Sequence, residues 1–564
     1  MTDSTAVWLT DYAHPGDWDV TYPPLTLPAM FDASAARTPD AVFSDFLGAR
    51  LTYAQIARHV AAFAGALQKG GLAKGDRVGL YLPNVPDYIV AYYGVLRAGG
   101  IVVNMSPLYS QAELAHQIAD SGARTIVTSD VPALFATARA MLDGGTIDRV
   151  IVGCLASWLP PIKRVLFRLL RRAEIAALPS DDMRIVSMAT MLAGPTTSVS
   201  VAIDADDVAL IQYTGGTTGV PKGAMLSHQN LTANARQVHA LDPEQGLPDR
   251  PLPDIIVGVL PFFHVFANTC VLNRTVLAGG MIAMLPRFAA KDTLATIARV
   301  KATALPGVPT MYQALIDHPD CARTNFSSLR VCISGGAPLA DSLKLKFEAL
   351  TGARVIEGYG LTESSGVVAC NPYAGGGPIG GIGQPVPGTR LALVDREDAT
   401  RPAAPGEPGE LVVRGAQIMR GDWNRPESDA DTFVDGALRT GDVATIDAAG
   451  YVRIVDRLKD MIAVGGFKVF PSQIEDVLYR HAAVKEAIVI GIPDTYHGEM
   501  PKAFVTLNDG FEASGTALKE WLNPQLGKHE RVAAVEVREI LPKTLVGKLS
   551  RKELVAEARA DPTG

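Results

Sequence analysis

The chain has 564 residues, too many for a single hydrophobic core, so two or more domains are expected. Hydrophobic residues make up 48% of it and charged residues 20%, and the formal net charge of −7 argues against general nucleic-acid binding, which normally needs a basic surface. The five cysteines lie far apart without a CxxC pair, which favours reduced thiols in a cytoplasm over a disulfide framework or a zinc site.

Neither the N-terminal stretch nor the most apolar run has the pattern of an export or membrane segment. MTDSTAVWLTDYAHPGDWDV lacks a basic n-region and an apolar h-region, so no secretory signal is expected. The apolar run at 255–286 contains His264, Asn268, Asn273 and Arg274. It therefore predicts a buried sheet-and-helix region rather than a transmembrane helix.

The first half of the chain alternates helix and strand patterns. Thr52 and Gln55 predict a capping box that begins a helix ending at Gly70. Strand patterns follow at 78–82, 101–104 and 125–129, with helices at about 87–98 and 111–120 between them. This alternation predicts parallel strands joined by crossover helices, and hence the α/β fold class.

The later part of the chain has a different pattern. Residues 382–415 predict short strands broken by Pro and Gly, and therefore a β-rich subdomain. Helix and strand patterns at about 472–523 predict a small α+β module. We expect an N-terminal domain at 1–456, with α/β subdomains and the β-rich subdomain, and a C-terminal α+β domain at 457–564.

One segment, residues 160–174, predicts a strongly amphipathic helix. Its apolar stripe and its basic flanks consist of Ile162, Val165, Leu166, Leu169 and Leu170, and of Lys163, Arg164, Arg168, Arg171 and Arg172. An interfacial helix on anionic lipid has this composition. A surface helix whose stripe packs on its own domain is the simpler interpretation, and we favour it.

The loop YTGGTTGVPKG (213–223) follows an apolar strand pattern and is rich in glycine and hydroxyls. Glycines let backbone N–H groups approach a ligand, while threonine hydroxyls and Lys222 add donors and positive charge, as a polyphosphate requires. A Walker A loop is excluded because the G-x-x-x-x-G-K-[ST] spacing is missing. A flexible surface loop is the alternative for this segment taken alone.

Four further motifs lie downstream of this loop: EGYGLTE (357–363), RTGD (439–442), DRLKD (456–460) and PKTLVGK (542–548). In this order and spacing, the five motifs resemble the AMP-forming adenylating enzymes, which include acyl-CoA synthetases, firefly luciferase and peptide-synthetase adenylation domains. The resemblance implies a two-step reaction. A carboxylate attacks the α-phosphate of ATP to give acyl-AMP and pyrophosphate, and a thiol then displaces AMP. ATP, Mg²⁺ and coenzyme A are the implied cofactors.

The resemblance also implies which residues form the site. The ATP- or AMP-binding set is Thr214, Gly215, Gly216, Thr217, Thr218, Lys222, Gly335, Gly336, Ala337, Glu357, Gly358, Tyr359, Gly360, Thr362, Asp442 and Arg457. The catalytic set is Lys548, Thr362, Glu363 and His264, with Glu363 and Thr218 as metal ligands. Within these sets Tyr359 stacks on adenine, Asp442 holds the ribose hydroxyls, and Lys548 bridges the carboxylate and the α-phosphate.

The family's C-terminal domain is mobile, and the resemblance places its hinge at Lys459. It implies that Gly465, Gly466 and Phe467 approach CoA after the domain rotates. Ala463 stands where several relatives have a lysine, which puts the residue-level CoA contacts in doubt.

The segment LPFFHVFA (260–267) indicates which kind of acid is the substrate. His264 matches a histidine beside the acyl carboxylate, and its apolar neighbours Phe263 and Phe266 predict an acyl pocket rather than a site for an amino acid. The loop sequence, the opening LPAMFDASAARTPDAVF and the basic segment before residue 180 resemble bacterial long-chain fatty acid–CoA ligases. A medium- to long-chain fatty acid is thus the expected substrate.

Several alternatives remain open. The acceptor is CoA or a carrier protein, and dicarboxylic or aryl acids are other substrates. A non-catalytic nucleotide-binding or membrane scaffold is a third class of function, disfavoured because Lys222, Glu363, Asp442, Arg457 and Lys548 occur together. The expected location is the cytoplasm. Peripheral contact with the inner face of the membrane through residues 160–174 is left open, and so is a homodimer.

Overall fold

The structure, a computed structural model, describes residues 11–214, 221–244, 254–378, 380–465, 467–544 and 548–560, the side chains of 559 and 560 excepted. Within these residues the chain forms four β-sheets with helices packed against them. The α/β class predicted from the alternating first half is confirmed.

The first large sheet is parallel at its centre and antiparallel at both edges. In spatial order its described strands are Gln384–Pro385, Ala369–Cys370, Arg354–Tyr359, Val331–Gly335, Ala304–Gly307, Ile255–Gly258, Met281–Met284, Val42–Phe46 and Ala49–Thr52. The most apolar run of the sequence supplies two neighbouring central strands and the helical turns between them. The prediction of a buried sheet-and-helix region is therefore confirmed.

The second large sheet is parallel except for one edge hairpin. Its described strands, in spatial order, are Ile185–Ser187, Arg149–Gly153, Thr125–Ser129, Arg77–Leu80, Ile101–Asn104, Val208–Thr214 and Lys222–Ser227. One apolar core joins this sheet to the first through two buried helices, Tyr53–Lys69 and Pro86–Arg97. The Thr52–Gln55 capping box is present in both directions and begins the first of these helices.

Two smaller sheets follow in the chain. The third is antiparallel and contains Arg390–Val394, Gly409–Arg414, Phe433–Val434, Ala437–Ile446 and Val452–Arg457. The fourth contains Ile462–Val464, Phe467–Val469, Val484–Asp494, Gly498–Leu507 and Ala534–Val537. The third sheet thus ends where the predicted domain boundary lies, although the division at 456 itself stays a prediction.

Helices connect the strands, as parallel pairing requires. The α-helices in the described residues are Leu27–Arg37, Tyr53–Lys69, Pro86–Arg97, Gln111–Ser121, Pro132–Asp143, Pro161–Leu170, Met188–Leu192, His228–Ala240, Val265–Ala267, Arg274–Ala278, Ala290–Val300, Pro309–Asp317, Asp341–Thr351, Pro426–Thr432, Pro471–Leu478, Gly515–Leu522 and Arg551–Ala560. Asn268–Asn273 forms a π-helical turn between two of them. No helix in these described ranges is long and apolar enough to cross a membrane.

The amphipathic segment forms the helix Pro161–Leu170, and the preferred interpretation of its apolar stripe is wrong. Ile162, Leu169 and Leu170 are 77%, 72% and 76% exposed, so the stripe faces away from the domain. The helix is held instead by its other side. Phe167 packs against the main core, and Lys163 Nζ donates to the Leu47 carbonyl at 2.9 Å.

Candidate active site

The candidate site lies at the carboxyl ends of parallel strands in the first sheet, where open α/β sheets usually bind ligands. The strands involved are Ile255–Gly258, Ala304–Gly307, Val331–Gly335 and Arg354–Tyr359. The loops that follow them carry His264, Val308, Gly336 and Glu363. The neighbouring sheet contributes Thr214, at the end of its own strand Val208–Thr214. The topology therefore brings residues far apart in the sequence to one edge.

An apolar cavity of about 20 Å³ lies at this edge. It is lined by Leu260, Pro261, His264, Phe266, Ala267, Val308, Gly336 and Lys548. Lys548 comes from the C-terminal part of the chain, whereas all the other lining residues belong to the first sheet and its loops. The cavity is thus completed by an ammonium group from a different sheet.

Gly336 makes room for this lysine. A Cβ at position 336 would lie 2.6 Å from Lys548 Cε and 3.0 Å from its Nζ, and the backbone has φ +83°. The positive φ strains any other residue at this position, and a methyl group there would displace the end of the Lys548 side chain. On the lysine side, the Lys548 N–H donates to Thr544 Oγ1 at 3.1 Å, which helps to fix the backbone of the lysine.

The enclosure also changes the acid–base properties of Lys548. Burial, and after it the nearby Arg457 charge, lower the pKa of its ammonium to about 8. The lysine is therefore a cation at neutral pH that sits close to its titration range. Such a group attracts an anion strongly because little water screens it.

His264 caps the short helix Val265–Ala267 and faces the same cavity. Its Nδ1 accepts a hydrogen bond from the Phe266 backbone N–H at 3.3 Å. Burial, followed by the charge of Lys548, lowers the pKa of His264 to about 3, so the ring is neutral at physiological pH. Because Nδ1 is the acceptor, the single proton lies on Nε2, where it can be donated to an oxygen in the cavity.

A second, polar cavity of about 350 Å³ opens beside Thr214. Its described lining residues are Thr214, Lys222, Leu361, Glu363, Glu410, Met419, Asp422, Asp431, Thr432, Leu438, Arg439, Thr440, Gly441 and Leu458. Burial raises the pKa of Glu363, and the neighbouring carboxylates of Asp422 and Asp442 raise it as well. An enclosed carboxylate among hydroxyl and carboxylate oxygens is a donor set that fits Mg²⁺.

Asp442 lies at the boundary between the site and the hinge segment. Its Oδ2 accepts a hydrogen bond from the Tyr359 hydroxyl, and its Oδ1 lies 3.2 Å from Arg457 Nε. The Thr440 hydroxyl accepts from the Asp442 backbone N–H at 3.1 Å. These contacts fix a nearly buried carboxylate beside an aromatic ring, an arrangement suited to a nucleoside.

The remaining residues predicted to bind the nucleotide lie at the same edge of the first sheet. Glu357 accepts from the Leu339 N–H at 3.2 Å, which supports the loop containing Gly335, Gly336 and Ala337. Burial raises the pKa of Glu357 to about 7. The Phe266 ring approaches Gly335 so closely that a Cβ there would lie 3.1 Å from it. After Gly358 and Gly360, Thr362 and Glu363 form one 3₁₀ turn with Ser364.

The predicted hinge residue and the predicted CoA-binding residues that the structure describes do not line either cavity. Lys459 lies in the turn Leu458–Asp460, with Asp442 and Glu363 among its electrostatic partners. The ring of Phe467 is 60% exposed and stacks on His529 at 5.0 Å. Gly465 N–H donates to the His497 carbonyl at 2.7 Å. Gly215, Gly216, Thr217, Thr218 and Gly466 lie outside the described residues.

The structure also separates the two predicted acyl-pocket residues. Phe266 lines the apolar cavity, whereas Phe263 packs against the main core and is not among the lining residues. Leu260 and Pro261 line the cavity and were not predicted, although they lie in the same LPFFHVFA segment as His264. Val308 and Asp422 were missed because each stands alone in the sequence, outside the recognised motifs.

Comparison with known proteins agrees with this geometry. The AMP-binding enzyme family matches residues 31–423, and the AMP-binding enzyme C-terminal domain matches residues 473–548. The long-chain-fatty-acid–CoA ligase of Bacillus subtilis (strain 168) is 39% identical over 555 residues, which covers 98% of each chain. The long-chain-fatty-acid–CoA ligase of Escherichia coli O157:H7 is 38% identical over 563 residues, again with 98% coverage of both.

Solved structures are similar along the whole chain as well. A crystal structure of ATP-bound MatB from Rhodopseudomonas palustris superposes with a TM-score of 0.82 at 28% identity, covering 96% of this chain and 99% of that one. The match includes both the large N-terminal part and the small C-terminal part. With both family domains present and full-length relatives above 30% identity, the chain belongs to the AMP-binding enzyme family.

Proposed function

We propose that this enzyme is an ATP-dependent, AMP-forming fatty acid–CoA ligase acting on medium- to long-chain acids. The observation that carries the proposal is the position of Lys548, whose ammonium enters the apolar cavity beside His264. Adenylation brings a carboxylate against a polyanion, so it needs positive charge and oriented donors where the two meet. The relatives' activity toward long-chain fatty acids supports the choice of substrate.

In the first step a carboxylate oxygen attacks the α-phosphorus, and the bond from that phosphorus to the bridging oxygen of the β-phosphate breaks. Lys548 lies between the two anions and offsets their repulsion. The Nε2–H of His264 donates to the acyl group, and Thr362 contacts the α-phosphate. Pyrophosphate leaves, and the acyl group remains joined to AMP through the attacking oxygen.

The polar cavity would hold the nucleotide. Thr214 and Lys222, with the glycine- and threonine-rich loop after the strand, contact the β- and γ-phosphates. Asp442 takes the ribose, Tyr359 stacks on adenine, and Glu363 holds the metal. Bound Mg²⁺ supplies charge neutralisation of the phosphates.

In the second step the CoA thiol sulfur attacks the acyl carbonyl carbon, and the bond from that carbon to the AMP oxygen breaks. We infer that residues 457–564 rotate about Lys459 between the two steps. Lys548 is then withdrawn, and Gly465 and Phe467 approach CoA. In the pose described here Phe467 is exposed, as a residue awaiting a ligand would be.

The apolar lining of the cavity supports an alkyl substrate, since each buried CH₂ contributes about 0.8 kcal/mol. Leu260, Phe266, Ala267 and Val308 supply that surface. No cationic side chain other than Lys548 is found among the described lining residues, which disfavours a second carboxylate on the substrate. Aryl acids and a carrier-protein acceptor are the remaining alternatives.

The test is a panel of carboxylic acids from C2 to C18, with benzoate and pimelate, assayed for pyrophosphate and AMP with and without CoA. We expect thioester, AMP and pyrophosphate with the C8–C18 acids when CoA is present. Pyrophosphate without thioester would indicate a carrier-protein acceptor. No turnover on any acid, by an enzyme that is folded, would contradict the proposal.

We further propose that the enzyme rests on the cytoplasmic leaflet of the membrane through the helix Pro161–Leu170. Its exposed apolar stripe is flanked by four arginines, and roughly 1 kcal/mol of attraction to anionic lipid accompanies each cation near the surface. Phe167 and Lys163 hold the opposite side of the helix on the domain. The stripe is therefore presented outward while the helix stays attached.

Co-sedimentation with vesicles tests this contact. We expect binding to vesicles with 30% phosphatidylglycerol and little binding to phosphatidylcholine alone. Changing Leu169 and Leu170 to Gln, or Arg168, Arg171 and Arg172 to Gln, should each release the protein. Unchanged sedimentation of both variants would contradict the contact.

A further inference from the structure

A short segment beside the phosphate loop places a carboxylate in the polar cavity. Residues 420–423 pair along the strand Lys222–Ser227, which leads out of the glycine- and threonine-rich loop. Arg420 N–H donates to the Met225 carbonyl at 2.9 Å, and Trp423 N–H donates to the Gly223 carbonyl at 2.7 Å. Asp422 lies between these two bonds, so the backbone fixes its position relative to the strand that begins at Lys222.

The Asp422 carboxylate is itself held in place. Its side chain is only 8% exposed, and its Oδ2 accepts a hydrogen bond from Ser428 Oγ at 3.0 Å. The same oxygen lies 3.5 Å from Lys222 Nζ. Lys222, the cation expected to meet the phosphates, is therefore already neutralised by a buried partner.

The charges lining this cavity do not by themselves suit a triphosphate. Among its described lining residues are two cations, Lys222 and Arg439, and four carboxylates, those of Glu363, Glu410, Asp422 and Asp431. Two minus four gives a formal charge of −2. Arg439, like Lys222, already has a carboxylate partner, since its Nη2 lies 2.7 Å from Glu410. A metal-free nucleotide entering here meets like charge.

We propose that Asp422 is a specificity-determining residue that makes the site select metal-complexed nucleotide over metal-free nucleotide. The inference rests on the proposed function, which places the phosphates in this cavity. Asp422 places one fixed negative charge beside the phosphates, and this charge opposes the attraction of Lys222 for them. A divalent cation on the nucleotide would offset this effect, because it would bring positive charge into the cavity that Asp422 and Glu363 line.

Asp422→Asn isolates this charge, since the amide oxygen can still accept from Ser428. Calorimetric titration with ATP in EDTA and with ATP in excess MgCl₂ gives the two dissociation constants. We expect Asp422→Asn to tighten binding of metal-free ATP about tenfold, as for removal of one poorly screened like charge, and to change binding of the magnesium complex less than twofold.

Two matched variants exclude a structural explanation. Asp422→Glu keeps the charge and should keep the wild-type ratio of the two constants. Asp431→Asn removes an exposed carboxylate from the same cavity and should change the ratio little, because solvent screens it. The inference would be overturned if Asp422→Asn bound metal-free ATP no more tightly than the wild type, or if it bound both nucleotide forms more tightly by the same factor. It would also be overturned if Asp422→Glu tightened the binding of metal-free ATP as Asp422→Asn does. A wild-type enzyme that binds neither form would overturn the proposed function and this inference with it.

Discussion

At the scale of single residues, the site depends on the fit between Gly336 and Lys548. The glycine has φ +83° and leaves the space that the lysine side chain fills. A methyl group at this position would collide with Cε, since the two atoms would lie 2.6 Å apart. The catalytic cation is thus positioned by a residue that has no side chain.

Gly336→Ala should therefore slow adenylation by about 10²-fold, in the range known for loss of a preorganised charge. ATP–pyrophosphate exchange with palmitate measures this step. Gly510→Ala is the matched control, because Gly510 has φ +81° with no atom within 4 Å of a Cβ. The control introduces backbone strain without the collision. Equal rates for Gly336→Ala and the control would contradict the role of this contact.

The lowered pKa of Lys548 predicts how adenylation depends on pH. A lysine is charged below its pKa and neutral above it, so the attraction is complete at pH 7 and is lost as the pH rises through about 8. We expect kcat/KM for palmitate-dependent exchange to fall above pH 8. Lys548→Arg, weaker overall, should move this decline upward because arginine stays charged. An alkaline limb at the same pH in both enzymes would assign it to another group.

At the scale of elements, Arg551 connects the hinge to the segment that contains Lys548. Its guanidinium donates to Glu475 Oε1 and Oε2 at 2.6 and 2.7 Å and to Asp460 Oδ2 at 3.4 Å. Asp460 belongs to the hinge turn Leu458–Asp460, and Arg551 begins the helix Arg551–Ala560, three residues after Lys548. Rotation at the hinge should therefore carry Lys548 as part of a rigid unit.

Arg551→Lys keeps the charge but removes the two separate nitrogens through which Arg551 contacts Glu475 and Asp460. We expect adenylation to slow at least about tenfold, because positional errors at the reacting centre are costly. Thioester formation from supplied palmitoyl-AMP should change much less, since Lys548 is withdrawn in that step. Arg538→Lys is the control, because Arg538 forms an ion pair with Glu557 of the same helix at 2.8 Å but, within the described residues, forms none with the hinge turn. Equal loss in both half-reactions would show a general structural role instead.

Local patterns made the main elements predictable. The Thr52–Gln55 capping box and the strands at 101–104 and 125–129 depend on neighbouring residues, and the structure has them where the sequence predicts. The apolar face of Pro161–Leu170 was misjudged because amphipathicity identifies the two faces of a helix but not which of them meets the domain. Contacts of Phe167 and Lys163 decide that orientation, and no local pattern encodes them.

At the scale of the whole molecule, the site combines parts of all four sheets. The first provides Gly336 and His264, the second Thr214 and Lys222, the third Glu410 and Arg439, and the fourth is followed by the segment with Lys548. Family motifs made most of these residues predictable, but their meeting depends on crossover topology and on the pose of the C-terminal part. Asp422 was not predictable, since only the pairing of residues 420–423 with the strand beside the loop brings it to Lys222.

An acyl-adenylate joins the two halves of the proposed reaction, and oxygen tracing detects it. Palmitate labelled with ¹⁸O in both carboxylate oxygens is converted with ATP and CoA, and the masses of the products are measured by mass spectrometry. We expect one ¹⁸O in the phosphate of AMP, since the attacking oxygen stays with AMP, and the other in the thioester carbonyl. Unlabelled AMP, or ADP as the nucleotide product, would exclude an acyl-adenylate.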